Sequence, residues 1–337
     1  MRAPAFWLAP RPTALARLLR PVGALVGAIV ARGMRRPGAR PGAPVIVIGN
    51  FVAGGAGKTP VALAVARLLV AQGERPAFVS RGYGGRAARG GPLRVAGQDA
   101  DTVGDEPLLL ARAAPTFVGL DRAAAAALAV DEVGPTVLVL DDGLQSRQVE
   151  PDLAIAVVDG ATGLGNGLCL PAGPLRAPLD AQLPHIQAAV VVGAGEAGEA
   201  VAAEAARAGV KILRAKIEPD ESARALAGQN VVAFAGIGLP DKFFRTLEAI
   251  GARIVERRAF PDHYFYRTAD IEELAGLARE NNARLVTTQK DAVRLPPLPE
   301  GAQAPLAIPV RLAFEDEGAA VALVTAALAR ARPWKSR

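Results

Sequence analysis

Short apolar runs rich in β-branched residues recur along the chain at 45–48, 77–79, 136–140, 153–158, 188–192 and 210–213. They are continuous rather than alternating, the mark of strands covered on both faces. Between them lie stretches with apolar residues at helical spacing, at 60–71, 106–114, 122–130 and 196–208. Strand and helix in alternation predict an α/β fold, with a doubly wound, mostly parallel sheet. The pattern pauses at Glu218-Pro219-Asp220-Glu221 and resumes as a second strand, loop and helix from Val231. Helices over 243–250 and 271–281 and strands over 253–255 and 285–287 then predict a second, smaller α/β domain. The proline-rich 296–309 stretch reads as a loop, and 317–331 as a helix able to return to the first domain. The expected organisation is an N-terminal segment 1–35, a first domain 36–220, a second domain 221–315 and a C-terminal segment 316–337.

Glycine interrupts this pattern most heavily directly after the first strand, in Gly49-Asn50-Phe51-Val52-Ala53-Gly54-Gly55-Ala56-Gly57-Lys58-Thr59-Pro60. A glycine-rich turn between a buried strand and a helix is a phosphate cradle, because backbone N–H groups there approach phosphate oxygens closely. Gly54, Gly55, Ala56, Gly57, Lys58 and Thr59 are the expected nucleotide-binding residues. Lys58 suits the β/γ-phosphates and the Thr59 hydroxyl a magnesium ion. The usual spacing puts the first glycine at position 52, where this chain has Val52, so Gly54 and Gly55 must supply the tight turn.

The 136–140 strand ends in Asp141-Asp142-Gly143, the arrangement by which P-loop enzymes hold magnesium near the phosphates. Two acids at a strand end also cap turns, but paired with Lys58 and Thr59 the metal-linked role is preferred. Gln145 and Arg147 follow closely enough to face the same cleft. Ser80-Arg81-Gly82-Tyr83-Gly84 leaves another strand end, where doubly wound sheets bind ligands. Arg122 and Arg176 suit bidentate phosphate contact, although surface ion pairing is the default for either. By composition alone, Asp105 in Gly104-Asp105-Glu106-Pro107 reads as a helix cap, and His263 in an aromatic loop as structural.

Composition narrows the class. With 337 residues, 51% of them hydrophobic, the chain can build its cores without staples, and its single cysteine, Cys169, excludes an internal disulfide. No Cys/His cluster suggests zinc. The net charge of +6 conceals an asymmetry, since no acidic residue precedes Glu74 while ten basic ones do. The remainder carries 29 basic against 33 acidic residues, a net −4, which is not the profile of a nucleic-acid binder. The early arginines, from Arg2 to Arg40, flank the apolar run 21–31. That run is about half of what a bilayer core of ~30 Å requires. It predicts a segment that lies on an anionic membrane face, with a core packing helix as the competing reading.

Taken in order, seven motifs resemble those of the tetraacyldisaccharide 4′-kinase family. They are the loop from Gly49 to Pro60, Ser80-Arg81-Gly82-Tyr83-Gly84, Gly104-Asp105-Glu106-Pro107, Asp141-Asp142-Gly143-Leu144-Gln145, Pro171-Ala172-Gly173-Pro174-Leu175-Arg176, Phe260-Pro261-Asp262-His263 and Thr287-Thr288-Gln289-Lys290-Asp291. Gln289 departs from the family's glutamate. The resemblance implies a P-loop NTPase-like fold and a monomeric kinase docked by an N-terminal helix on the cytoplasmic face of the inner membrane. It implies Mg²⁺-dependent transfer of the ATP γ-phosphate to the 4′-hydroxyl of a tetraacylated glucosamine disaccharide 1-phosphate, giving lipid IVA. It also overturns the composition reading of Asp105 and His263, making them a catalytic dyad assisted by Lys58, with Arg81, Arg122, Gln145 and Arg176 around the nucleotide and acceptor. Thr59, Asp141 and Asp142 are the implied metal ligands.

Two other readings keep the phosphate loop. A membrane-associated switch ATPase of the deviant P-loop type generally begins that loop Lys-Gly-Gly, and Ala53 removes the lysine here. A kinase for a soluble metabolite leaves the arginine-flanked N-terminus without a role.

Overall fold

A computed structural model describes residues 4–9, 11–86, 90–298 and 303–331. Arg2 and residues 332–337 of the expected terminal segments lie outside this set. The first sheet is built around β1 (Val45–Asn50), flanked by β5 (Val137–Asp141) and β6 (Leu153–Asp159). Outward from β5 come β2 (Pro76–Ser80), β4 (Thr116–Val118) and β3 (Leu93–Arg94); outward from β6 come β7 (Ala188–Val192), β8 (Lys211–Pro219) and β13 (Val310–Phe314). All pairings are parallel except the two at the edges, β3 with β4 and β13 with β8.

Ile46 and Ile48 of β1 face one core with Val61, Val65 and Leu69 of the helix Lys58–Ala71. Val45 and Val47 face the opposite core with Leu138, Leu140 and the alanines of the helix Arg122–Val133. Helices on both faces explain why these strands read as unbroken apolar runs.

The chain leaves this sheet at Pro219 and forms a second, four-stranded parallel sheet in the order β10 (Arg253–Ala259), β9 (Asn230–Ala235), β11 (Arg284–Thr288), β12 (Leu306–Ile308). Part of the expected 296–309 loop is thus a strand. Residues 310–314, assigned by pattern to the smaller unit, form the antiparallel edge of the large sheet instead. Short, proline-flanked strands carry too few positions to show a period, so their pairing is decided by distant partners. The helix Glu317–Ala331 then packs Leu323, Val324 and Leu328 into the core that holds Ile46 and Ile48.

At the N-terminus a single helix, Ala14–Met34, starts at Thr13, whose hydroxyl accepts the Ala16 N–H. It extends the 21–31 apolar run in both directions to 21 residues, roughly 31 Å at ~1.5 Å per residue. By length and composition it is apolar enough to cross a membrane. One face is nonetheless bound to the protein: a Cβ on Gly27 would stand 2.7 Å from Cys169 Sγ. The other carries Leu15, Leu18, Val22, Leu25 and Ile29, all exposed, Leu18 by 76%. Arg17, Arg20, Arg32, Arg35 and Arg36 are exposed around it.

Candidate active site

Strand order brings the chemistry together. β5 inserts between β1 and β2, and Asp141 registers opposite Ile48, so the acid pair emerges beside the glycine-rich loop. Within that loop Gly54 and Gly57 have φ of 120° and 88°, values that side chains resist. Gly57 is the residue before the helix Lys58–Ala71, so the helix begins with free N–H groups directed at the loop. A Cβ on Gly54 or Gly55 would meet nothing within 4 Å, whereas Ala56 is buried and anchors the loop to the core. The Asn50 amide donates to the Gly54 carbonyl at 3.0 Å, and the Ala53 N–H to the Pro174 carbonyl at 2.7 Å.

Lys58 Nζ lies 3.6 Å from Asp142 Oδ1 and 3.5 Å from the Gly54 carbonyl. The Arg176 guanidinium reaches Asp142 Oδ2 at 3.0 Å, the Val52 carbonyl at 3.1 Å and Gln145 Oε1 at 3.4 Å. Burial raises the Asp142 pKa, but Lys58 and Arg176 outweigh it and hold the carboxyl below the ordinary range. Asp141 goes the other way: burial, with Glu106 and Asp142 adding to it against Lys58 and Arg122, pushes it up to about 7. The Thr59 hydroxyl is 3.4 Å from Asp141 Oδ2.

One oxygen of each aspartate, Oδ1 in both, is buried with no hydrogen-bond partner among the described residues. A hydroxyl and two carboxylates with unsatisfied oxygens form a hard-oxygen donor set that fits Mg²⁺. No cluster of three or more His, Cys, Asp or Glu surrounds them among the described residues. That suits an ion that completes its shell with water and substrate phosphates.

Arg122 is buried, and donates to the Asp142 carbonyl at 2.8 Å while its Nε has no partner among the described residues. Burial lowers its pKa against the pull of Asp142, and exposed Arg81 adds like-charge repulsion from nearby. Gln145 is occupied by protein, giving its amide N–H groups to the Asn50 carbonyl at 2.7 Å and to Gln182 at 2.8 Å. It therefore braces the loop and Arg176.

Asp105 and His263, 158 residues apart, meet across the cleft with Nδ1 3.0 Å from Oδ2. The cap expected of Asp105 is met only in part: Gly104 stands at the cap position, and Asp105, the first residue of the helix Asp105–Ala111, accepts the Glu106 N–H on Oδ1 while its Oδ2 faces the histidine. His263 sits at φ 58°, a conformation costly for a bulky residue, and its N–H donates to the Gly236 carbonyl at 3.1 Å. Asp105 is 4% exposed; burial raises its pKa, but the bond to His263 and the charges of Lys290 and Arg294 outweigh it, for a net depression.

Those two cations are what the sequence did not single out. Lys290 appeared only within a motif and Arg294 not at all, since neither stands at the end of a first-sheet strand. Lys290 lies in the short helix Gln289–Ala292 and Arg294 in the turn that follows it, so no helical period marked the pair; the signal available was their shared place directly after the end of β11.

A family profile, tetraacyldisaccharide-1-P 4′-kinase, matches residues 15–329. The chain belongs to that family. The tetraacyldisaccharide 4′-kinase of Methylobacterium nodulans is 56% identical over 326 residues, covering 95% of this chain and 94% of that protein. That of Bradyrhizobium sp. strain BTAi1 is 49% identical over 338 residues, covering 98% and 97%. The crystal structure of LpxK from Aquifex aeolicus in complex with ATP superposes with a TM-score of 0.73 at 25% identity, over 93% of this chain and 99% of that one. As a member, the chain is an ATP-dependent kinase of lipid A biosynthesis, with the P-loop, mostly parallel α/β architecture expected of it.

Proposed function

We propose that this kinase transfers the ATP γ-phosphate to the 4′-hydroxyl of a tetraacylated glucosamine disaccharide 1-phosphate, giving lipid IVA, on the cytoplasmic face of the inner membrane. The observation that carries the reading is the Asp105–His263 contact, which joins the first unit to the second, with the adjacent Glu106 near enough to act on Asp141 beside the phosphate loop. A proton acceptor assembled from two units, next to a triphosphate cradle, suits an enzyme that must exclude water until its acceptor has arrived.

In this reading the loop N–H groups from Gly54 to Lys58 hold the phosphates, and Lys58 exchanges its contact with Asp142 for the β/γ-phosphates. Arg122 and Arg176 donate to the equatorial oxygens where charge accumulates. Thr59, Asp141 and Asp142 hold the magnesium ion, which supplies neutralisation of the phosphate charge. Arg81, on the exposed strand end, meets the acceptor. His263 orients Asp105, which takes the hydroxyl proton as the P–O bond forms. Such a base contributes about 10²–10⁴-fold, the rest coming from alignment and charge stabilisation.

The N-terminal helix supports docking in the membrane interface with its Leu18–Ile29 stripe inward and the arginines at anionic headgroups. Replacing Leu18, Leu25 and Ile29 together by Asp is expected to abolish cosedimentation with anionic vesicles while leaving turnover of detergent-dispersed acceptor intact. Unchanged sedimentation would defeat the docking role.

The deciding assay uses the full chain in detergent with Mg-ATP and a tetraacyl disaccharide 1-phosphate. Phosphate transfer that requires the acceptor is expected. Acceptor-independent ATP turnover with no phosphorylated lipid would favour the switch ATPase.

A further inference from the structure

Asp105 is 4% exposed, and burial alone favours its neutral form. A carboxylate held neutral in this way already carries a proton, and once protonated it accepts no other. The groups that oppose this all come from the second unit and converge on the same oxygen. Oδ2 has His263 Nδ1 at 3.0 Å, Arg294 Nε at 3.6 Å and Lys290 Nζ at 3.8 Å. Lys290 also bridges to Glu106 at 3.3 Å, and Asp262 adds to the negative field that keeps its ammonium charged.

Arg294 is fixed in place. Its side chain is 1% exposed and it donates to the carbonyls of Lys290, Gly236 and Tyr264 and to Asp291 Oδ1. Gly236 is also the carbonyl that receives the His263 N–H, and Tyr264 follows His263 in the chain. Asp291 Oδ1 in turn accepts the Gly236 N–H at 2.9 Å and the Tyr266 hydroxyl at 2.8 Å. One guanidinium therefore joins the loop after β9, the loop that presents His263 and the helix Gln289–Ala292.

We propose that Lys290 and Arg294 are positioning residues for phosphoryl transfer, holding Asp105 ionised and His263 aligned on it whenever the second unit is docked. This rests on the reading of Asp105 as proton acceptor. Arg294 sets the geometry through the His263 loop, and Lys290 supplies the charge that a closing cleft brings to Asp105 and Glu106. Neither residue belongs to the phosphate cradle, so nucleotide affinity is set elsewhere.

The sign of the pH effect follows. Asp105 titrates below the ordinary carboxylate range, so the acidic limb of kcat that it governs lies low, and turnover is lost only as pH falls through that depressed value. Removing a cation raises that value and moves the limb upward. Lys290→Met is therefore expected to shift the acidic limb to higher pH, lowering kcat by about 10-fold at pH values on that limb for each pH unit it moves, and to leave the KM for ATP near wild type, with Lys290→Arg restoring the profile. Arg294→Lys, which keeps the charge but loses the fork, should lower kcat with a smaller shift of the limb; thermal melting of each variant separates these effects from misfolding. A Lys290→Met enzyme with wild-type kcat and pH profile overturns the inference, as does a folded variant whose kcat falls with no movement of the limb and no rescue by arginine. If Asp105→Asn is inactive in those cases, only this inference fails. An Asp105→Asn enzyme that turns over normally removes the acceptor reading and this inference with it.

Discussion

Lys58→Met is expected to cut kcat/KM by about 10³-fold, the scale for losing a donor aimed at charge that develops in the transition state. Its ammonium rests 3.6 Å from Asp142 and 3.5 Å from the Gly54 carbonyl, so the side chain lies within the cradle. Methionine keeps the length and packing of the stem against the loop but carries no charge. It also leaves Asp142 with Arg176 as its remaining ion-pair partner among the described residues, at 3.0 Å. Fold and melting temperature should change little, because Lys58 is not part of either core. Steady-state kinetics with Mg-ATP and detergent-dispersed acceptor provide the test; a variant within tenfold of wild type would remove Lys58 from the phosphate site.

Asp105→Asn is expected to lower kcat by about 10²–10⁴-fold while the KM for ATP stays close to wild type. The amide preserves shape and can still accept the Glu106 N–H, which Asp105 receives at 2.9 Å. It cannot take up the hydroxyl proton, and it leaves Lys290 and Arg294 facing a neutral group. His263→Ala should reproduce the pattern in milder form, because it removes the group that orients Asp105 rather than the acceptor itself. The double variant should be no worse than Asp105→Asn alone, since residues acting as one unit are not additive. A pure KM effect in either single variant would defeat the dyad.

What was legible in the chain, and what was not, divides by distance. Runs such as 153–158 and 188–192 need both faces covered, so their composition already dictates a layered α/β arrangement. The phosphate loop is equally local: positive φ at Gly54 and Gly57, a free helix start and Lys58 within one turn are properties of a dozen adjacent residues. Asp141 and Asp142 could be read as a strand end, but that they stand beside that loop depends on β5 entering between β1 and β2, and no local pattern carries a strand order. The same holds for β13, whose five residues belong to the first sheet only because β8 offers an open edge. Gln145 was expected near the ligands, and the reason its amide serves as a brace lies in Gln182, distant in sequence.

By itself the amino-acid sequence determined the layered class, the nucleotide cradle and an arginine-flanked apolar helix, because each is an interaction among neighbours a few residues apart. Asp105 and His263 were paired beforehand only by the family motifs, and the tertiary structure alone decided the geometry of their contact, that Lys290 and Arg294 reach the same carboxylate, and that one face of the N-terminal helix rests on Cys169. These contacts join segments more than a hundred residues apart, and their geometry is set by sheet order and by how two sheets pack, which side-chain periodicity does not encode.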